Sequence, residues 1–108
     1  MNSLTPIKSD CIDACRYCIE DCRSCAIACS KMLGMETCVK LCELCIAACK
    51  ECMYACEGST VDRGAVIKAC IEACLACAQE CEKHPHAHCQ ECAESCRACI
   101  AECENLLA

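Results

Sequence analysis

The sequence contains no phenylalanine, no tryptophan and only two tyrosines in its 108 residues. Leu, Ile and Val together contribute 18 side chains, a share that in an ordinary chain points to disorder. A core of large interlocking apolar residues is therefore excluded. No basic run exceeds two residues, and acidic groups outnumber basic ones 16 to 10, for a formal charge of −6. This balance argues against a nucleic-acid surface. No uncharged apolar stretch approaches the ~20 residues of a membrane span. The opening MNSLTPIKSDC has no basic region followed by an apolar one, so no secretory signal is expected. The expected compartment is the cytosol, where thiols stay reduced.

What the chain has in abundance is cysteine, 21 residues, accompanied by 16 alanines. Reduced cysteine behaves as a small, readily buried hydrophobe, so the chain can close an interior made mostly of sulfur. Cysteine at this density usually means a disulfide scaffold. An odd count, the missing export signal and the spacing all oppose that reading. Cβ atoms three or four residues apart on a helix lie about 5–6 Å from each other, whereas a disulfide requires about 3.8 Å.

The cysteines fall into four blocks. The first is Cys11, Cys15, Cys18, Cys22, Cys25 and Cys29, and the second is Cys38, Cys42, Cys45, Cys49, Cys52 and Cys56. The third is Cys70, Cys74, Cys77 and Cys81, and the fourth is Cys89, Cys92, Cys96, Cys99 and Cys103. Steps of three and four alternate within each block, which is the period of one helical face. A mean repeat of 3.5 residues also predicts near-parallel, left-handed helix packing.

Gly34, Gly58-Ser59 and Pro85 punctuate the blocks. Ser59 or Thr60 is the expected cap of a third helix, with Asp62 in its first turn. The predicted helices lie near 8–31, 36–57, 60–83 and 86–106. They form one all-α domain over 1–108, an antiparallel up-down-up-down four-helix bundle. A second stripe borders the cysteines: Ile12, Ile19 and Ala26; Val39, Ile46 and Met53; Ile71 and Ala78; Ala93 and Ile100. These side chains are expected to fill the helix seams while sulfur occupies the axis.

An isolated buried cysteine is most often inert core. Here cysteine takes every expected axial position from 11 to 29, and thiols alone would pack an axis loosely. That missing volume points to a guest. Ten i,i+4 pairs account for 20 of the 21 cysteines, and each pair can bridge one soft ion. Thiolates select Cu(I), zinc and iron–sulfur centres over hard cations. Zinc wants discrete tetrahedral sites, which a continuous stripe does not delimit. No C-x2-C-x2-C run of the ferredoxin type occurs. Exchanging each S–H proton for one Cu⁺ keeps the interior nearly neutral. The reading is a store of many Cu(I) ions per chain rather than an enzyme, since similar thiols single out no nucleophile and no substrate pocket is indicated. The alternatives are a general zinc, cadmium or silver thiol buffer, and a structural or interaction bundle that binds metal incidentally.

In the antiparallel order one end gathers Met32, Met35, His84, His86, His88 and Cys89, the thiol left out of the pairing. This end is expected to be the mouth, where imidazoles and thioethers pass ions to the thiolates. Solvent-exposed loop histidines and gap-filling methionines are the plainer readings of the same residues.

The segments CIDACRYCIEDCRSCAIAC at 11–29, CVKLCELCIAACKECMYAC at 38–56, CIEACLACAQEC at 70–81 and KHPHAHCQECAESCRACIAEC at 83–103 resemble the four-helix-bundle copper storage proteins. The resemblance is to the cytosolic branch, because exported members carry a twin-arginine signal. It implies Cu(I) bound mostly through C-x3-C pairs with bridging thiolates. It also implies that His84, His86 and His88 stand near the open end, and that the chain assembles as a homotetramer to which Tyr17 and Leu44 could contribute. No motif identifies the protein that donates or accepts the copper.

Overall fold

The computed structural model describes residues 8–58 and 62–107. Four helices follow one another: α1 (Lys8–Cys29), α2 (Glu36–Cys56), α3 (Arg63–Cys81) and α4 (Ala87–Leu107). Each packs against two neighbours, α1 on α2 and α4, and α3 on α2 and α4. The backbones of the diagonal pairs, α1 with α3 and α2 with α4, do not approach each other among the described residues. The result is the expected antiparallel four-helix bundle.

The helix ends depart slightly from expectation. α1 stops at Cys29 rather than 31, because Lys31 N–H and Met32 N–H turn to the carbonyls of Ala28 and Cys29 at 3.3 and 3.0 Å. These i→i+3 bonds satisfy terminal carbonyls by tightening the last turn. Gly34 follows with φ 81°, a left-handed conformation that favours glycine. Gly58, at φ 105°, serves the same purpose after α2. α3 begins at Arg63 rather than 60, and Asp62 is its cap: the carboxylate accepts from Ala65 N–H at 3.3 Å. An anion at a helix N-terminus also opposes the dipole. Ser59 and Thr60, the expected caps, lie outside the described residues. Pro85 stands just before α4, whose first turn bonds back to the His86 carbonyl from Cys89 N–H and Gln90 N–H, both at 3.0 Å.

All 21 cysteines are buried, and each is a free thiol. The bordering stripe packs as its spacing predicts. Ile19, Ala78 and Ala93 are buried, and Ile12, Ala26, Val39, Ile46, Met53, Ile71 and Ile100 are partly buried against the sulfur column. No polar or charged side chain is buried among the described residues. The interior is therefore sulfur and hydrocarbon alone.

A candidate metal centre of stacked thiols

Each cysteine is aimed inward because its stripe lies on the one helical face that meets the bundle axis. Four such faces converge, and the sulfur atoms touch across the diagonals that the backbones leave open. Cys22 of α1 lies 4.0 Å from Cys77 of α3. Cys42 and Cys92, on α2 and α4, are 3.9 Å apart, as are Cys45 and Cys96. Sulfur is what joins opposite helices.

Sets of four thiols recur along this column, with all four sulfurs of each set within 4.8 Å of one another. From the end opposite the histidines they include Cys11/Cys15/Cys52/Cys103, Cys15/Cys49/Cys70/Cys99, Cys18/Cys45/Cys49/Cys74, Cys18/Cys22/Cys45/Cys96 and Cys22/Cys42/Cys77/Cys92. Successive sets share members, so the sites are continuous rather than discrete. Nearer the histidines, Cys25 lies 3.8 Å from Cys29 and 3.9 Å from both Cys38 and Cys89. Cys38 in turn lies 3.7 Å from Cys81. At the far end Cys11 and Cys103 close to 3.5 Å. Cys56 is buried beside that end.

This arrangement corrects one expectation. The axis is not open: the thiols fill it by contact with one another, at separations down to 3.5 Å. The i,i+4 pairs Cys18–Cys22 and Cys25–Cys29 approach within a helix, at 3.9 and 3.8 Å, Cys11/Cys15 and Cys45/Cys49 fall within the 4.8 Å sets, and further sulfur contacts run between helices. A helix fixes Cβ spacing, yet the inward rotamers that bury a thiol also bring it against the facing helices.

The spacing bears on coordination number. With sulfur about 2.3 Å from the ion, a linear pair spans ~4.6 Å, a trigonal edge ~4.0 Å and a tetrahedral edge ~3.8 Å. Contacts near 3.8–4.0 Å match three- and four-sulfur geometry, while sulfurs of one set that stand up to 4.8 Å apart reach the span of a two-sulfur bridge.

Proton sharing within the column is uneven. Hydrogen bonding with Cys103, Cys11 and Cys49 holds Cys15 down at about 6. Bonding with Cys22 and Cys42 holds Cys77 at about 6. Cys45 is lowered by its bonds with Cys18, Cys22, Cys49 and Cys74. Cys22 and Cys96 are raised, by their bonds with neighbouring thiols and by burial. Cys89 is pushed up to about 12, first by burial and then by charge on Cys25. The lowered thiols are the ones readiest to lose a proton and take a cation.

The histidines meet this column unequally. His88 Nε2 lies 3.3 Å from Cys29 Sγ. His84 Nε2 instead lies 3.0 Å from Glu80 Oε2. His86 stacks between them, its ring centroid 6.4 Å from that of His84 and 5.3 Å from that of His88. Met35 is buried and Met32 partly buried at the same end. A surface groove of roughly 540 Å³ there is lined by Cys29, Met32, Glu36 and Val39. Buried Ile67, three residues before Cys70, continues the α3 stripe, a position that the cysteine pattern alone does not mark.

Comparison with known proteins agrees with this geometry. Residues 5–108 match the family described as copper storage protein. The fold is similar to a cytosolic copper storage protein from Streptomyces lividans, solved with five coppers, at 32% identity and TM-score 0.88, covering 93% of this chain and 91% of that one. It is also similar to apo copper storage protein 3 from Bacillus subtilis, at 31% identity and TM-score 0.86, covering 93% of this chain and 98% of that one. A Cu(I)-bound copper storage protein, BsCsp3, is 31% identical with TM-score 0.83, over 91% of this chain and 95% of its own. No curated protein sequence matches. In sequence pattern from residue 5 onward and in the path of all four helices, the chain belongs to the copper storage protein family.

Proposed function

We propose that this protein stores Cu(I) as cargo, many ions per chain, with all 21 cysteines as the ligands. One observation carries the reading: a continuous column of contacting thiols in overlapping four-sulfur sets, with no other polar group buried among the described residues. An incoming Cu⁺ that displaces one thiol proton conserves charge inside a medium that cannot solvate it. Sulfurs already 3.5–4.0 Å apart accept an ion in three-sulfur coordination with little movement. Because neighbouring sets share cysteines, an ion can pass along the column by exchanging one sulfur at a time.

The sulfur spacing also fits a tetrahedral divalent ion, which favours the competing reading of a zinc or cadmium buffer. Stoichiometry separates the two: a neutral interior holds one Cu⁺ per thiolate but only one divalent ion per two thiolates. Anaerobic titration of the reduced protein with Cu(I) against a competing chelator tests the choice. A tight endpoint near the thiol count is expected, and an endpoint of one to four ions would exclude storage.

His84, His86 and His88, with Met32 and Met35, form the entry end in this reading, and His88 is the group that hands the ion to Cys29. The S. lividans relative is described as cytosolic, and the same compartment is proposed here. No described helix is long and apolar enough to cross a membrane. The proposed assembly is a homotetramer, with Tyr17 and Leu44, 63% and 53% exposed, as interface candidates. A mass measurement in solution checks it.

A further inference from the structure

The thiols also pair by helix. Each cysteine of α1 from Cys11 to Cys25 has one of α4 opposite it, at 3.5 to 3.9 Å, in antiparallel register from Cys11–Cys103 to Cys25–Cys89. Each cysteine of α2 from Cys38 to Cys49 likewise faces one of α3, at 3.6 to 3.8 Å, from Cys38–Cys81 to Cys49–Cys70. Cys29 lies outside both ladders and touches the end of each, 3.8 Å from Cys38 and 3.9 Å from Cys89. We propose that the metal-free protein reduces small hydroperoxides, with Cys29 as the reacting thiol and the two ladders as its store of electrons. This goes beyond Cu(I) storage and requires no metal.

Access is the first argument. Cys29 lines the surface groove of roughly 540 Å³ beside Ser30 and Met32. Its residue is only 1% exposed, which admits an oxidant the size of hydrogen peroxide and bars a bulky disulfide. Geometry is the second. Within one helix, Cβ atoms about 5–6 Å apart exceed the ~3.8 Å that a disulfide needs. Across a ladder the sulfurs belong to separate helices that can lean together. Cys11–Cys103 and Cys22–Cys92, both at 3.5 Å, must close by about 1.5 Å to reach bonding distance.

The steps balance without another reductant. The Cys29 sulfur attacks one oxygen of the hydroperoxide and breaks the O–O bond. The other oxygen leaves with the thiol proton, as water or an alcohol. Cys38 then attacks the sulfenic acid on Cys29; hydroxide is expelled, takes the Cys38 proton and departs as water, leaving a Cys29–Cys38 disulfide. Cys81, 3.7 Å from Cys38, attacks that sulfur in turn and releases Cys29 as a thiol. The exchange moves the disulfide onto the ladder with no net oxidation. Cys89 opens the α1/α4 ladder in the same way, with Cys25 as the next thiol at 3.9 Å. Copper on these sulfurs blocks the sequence, so the two uses of the column exclude each other.

The test uses the reduced, metal-free full chain under anaerobic conditions. Hydrogen peroxide is added below the thiol equivalence, and residual peroxide, intact mass and cross-linked peptides are followed. One peroxide should disappear for every two thiols lost. Cross-links should fall on ladder pairs such as Cys38–Cys81 and Cys25–Cys89, with helical circular dichroism retained. Dimedone added with the peroxide should label Cys29 before any other thiol. Cys29→Ser should slow peroxide consumption about tenfold or more. Unoxidised thiols, sulfonic acids without cross-links, links between chains or within i,i+4 pairs, first labelling elsewhere, or an undiminished rate in Cys29→Ser would overturn the proposal. A low Cu(I) endpoint on the same reduced protein would overturn storage and leave this result standing.

Discussion

The two ends of the bundle continue the same cysteine stripes in different chemistry. Where α1 finishes and α4 begins, the position three residues beyond the last cysteine is Met32 on α1, Met35 on α2, His84 on α3 and His86 on α4. At the opposite end the corresponding positions on α3 and α4 are Ile67 and Leu106. One end thus extends the ligand column outward in thioether and imidazole. On α3 and α4 the other end meets hydrocarbon instead: Ile67 is 3% exposed, and Leu106 packs partly buried against the thiols. All three histidines of the chain lie at the first end. A storage column with soft donors added at one end should fill and empty from that side.

The largest expected effect tests that polarity directly. Replacing His84, His86 and His88 together by alanine should slow Cu(I) uptake tenfold or more in stopped-flow loading. Unchanged rates would abolish the functional difference between the ends. Ile67→Ala should do the reverse. Truncating a buried Ile costs about 2–5 kcal/mol of stability, to be read as a lowered denaturation midpoint of the metal-free protein, while uptake should keep its rate. If Ile67→Ala also slowed loading as strongly as the histidine variant, entry would not be confined to one end.

Acid sharpens the comparison through the thiols themselves. Burial pushes Cys89, beneath the histidines, up to about 12, so a proton must leave as copper enters. For every proton displaced per ion, apparent Cu(I) affinity should fall about tenfold for each pH unit lowered. A chelator-competition series at several pH values measures it. Affinity independent of pH would mean that the ligands are already ionised in the metal-free protein. Ile67→Cys converts the closed end into further ligand column, and the Cu(I) endpoint should rise by about one ion per chain at some cost in metal-free stability. The smallest effect is expected at Asp62. Its replacement by alanine removes the α3 cap, costing roughly 0.5–2 kcal/mol, with no change in copper capacity by the same titration.

Much of this was legible before any coordinates. Alternating steps of three and four between cysteines specify a helical face, and Gly34, Gly58 and Pro85 separate four such faces. Sulfur as the interior followed from the lack of any other candidate. The helix ends were less accessible. Asp62 rather than Ser59 or Thr60 became the described cap of α3, because which oxygen reaches Ala65 N–H depends on where the incoming chain turns. Ile67 escaped notice because a single isoleucine three residues from Cys70 carries no signal until the neighbouring helices bury it. The division among the histidines was equally hidden: three imidazoles at alternate positions look equivalent in sequence, yet one meets Cys29 and another Glu80.

The sequence by itself determined which residues face inward and that soft-ion chemistry fills the interior, since helical periodicity is a local property and thiol softness belongs to the side chain. Tertiary structure alone decided which sulfurs are partners. Contacts such as Cys22–Cys77 join residues far apart in the chain and on diagonal helices, at a distance set by how closely four helices pack. That packing set the within-helix pairs beside sulfurs of the facing helices, and so decided which sulfurs an arriving ion can meet at once.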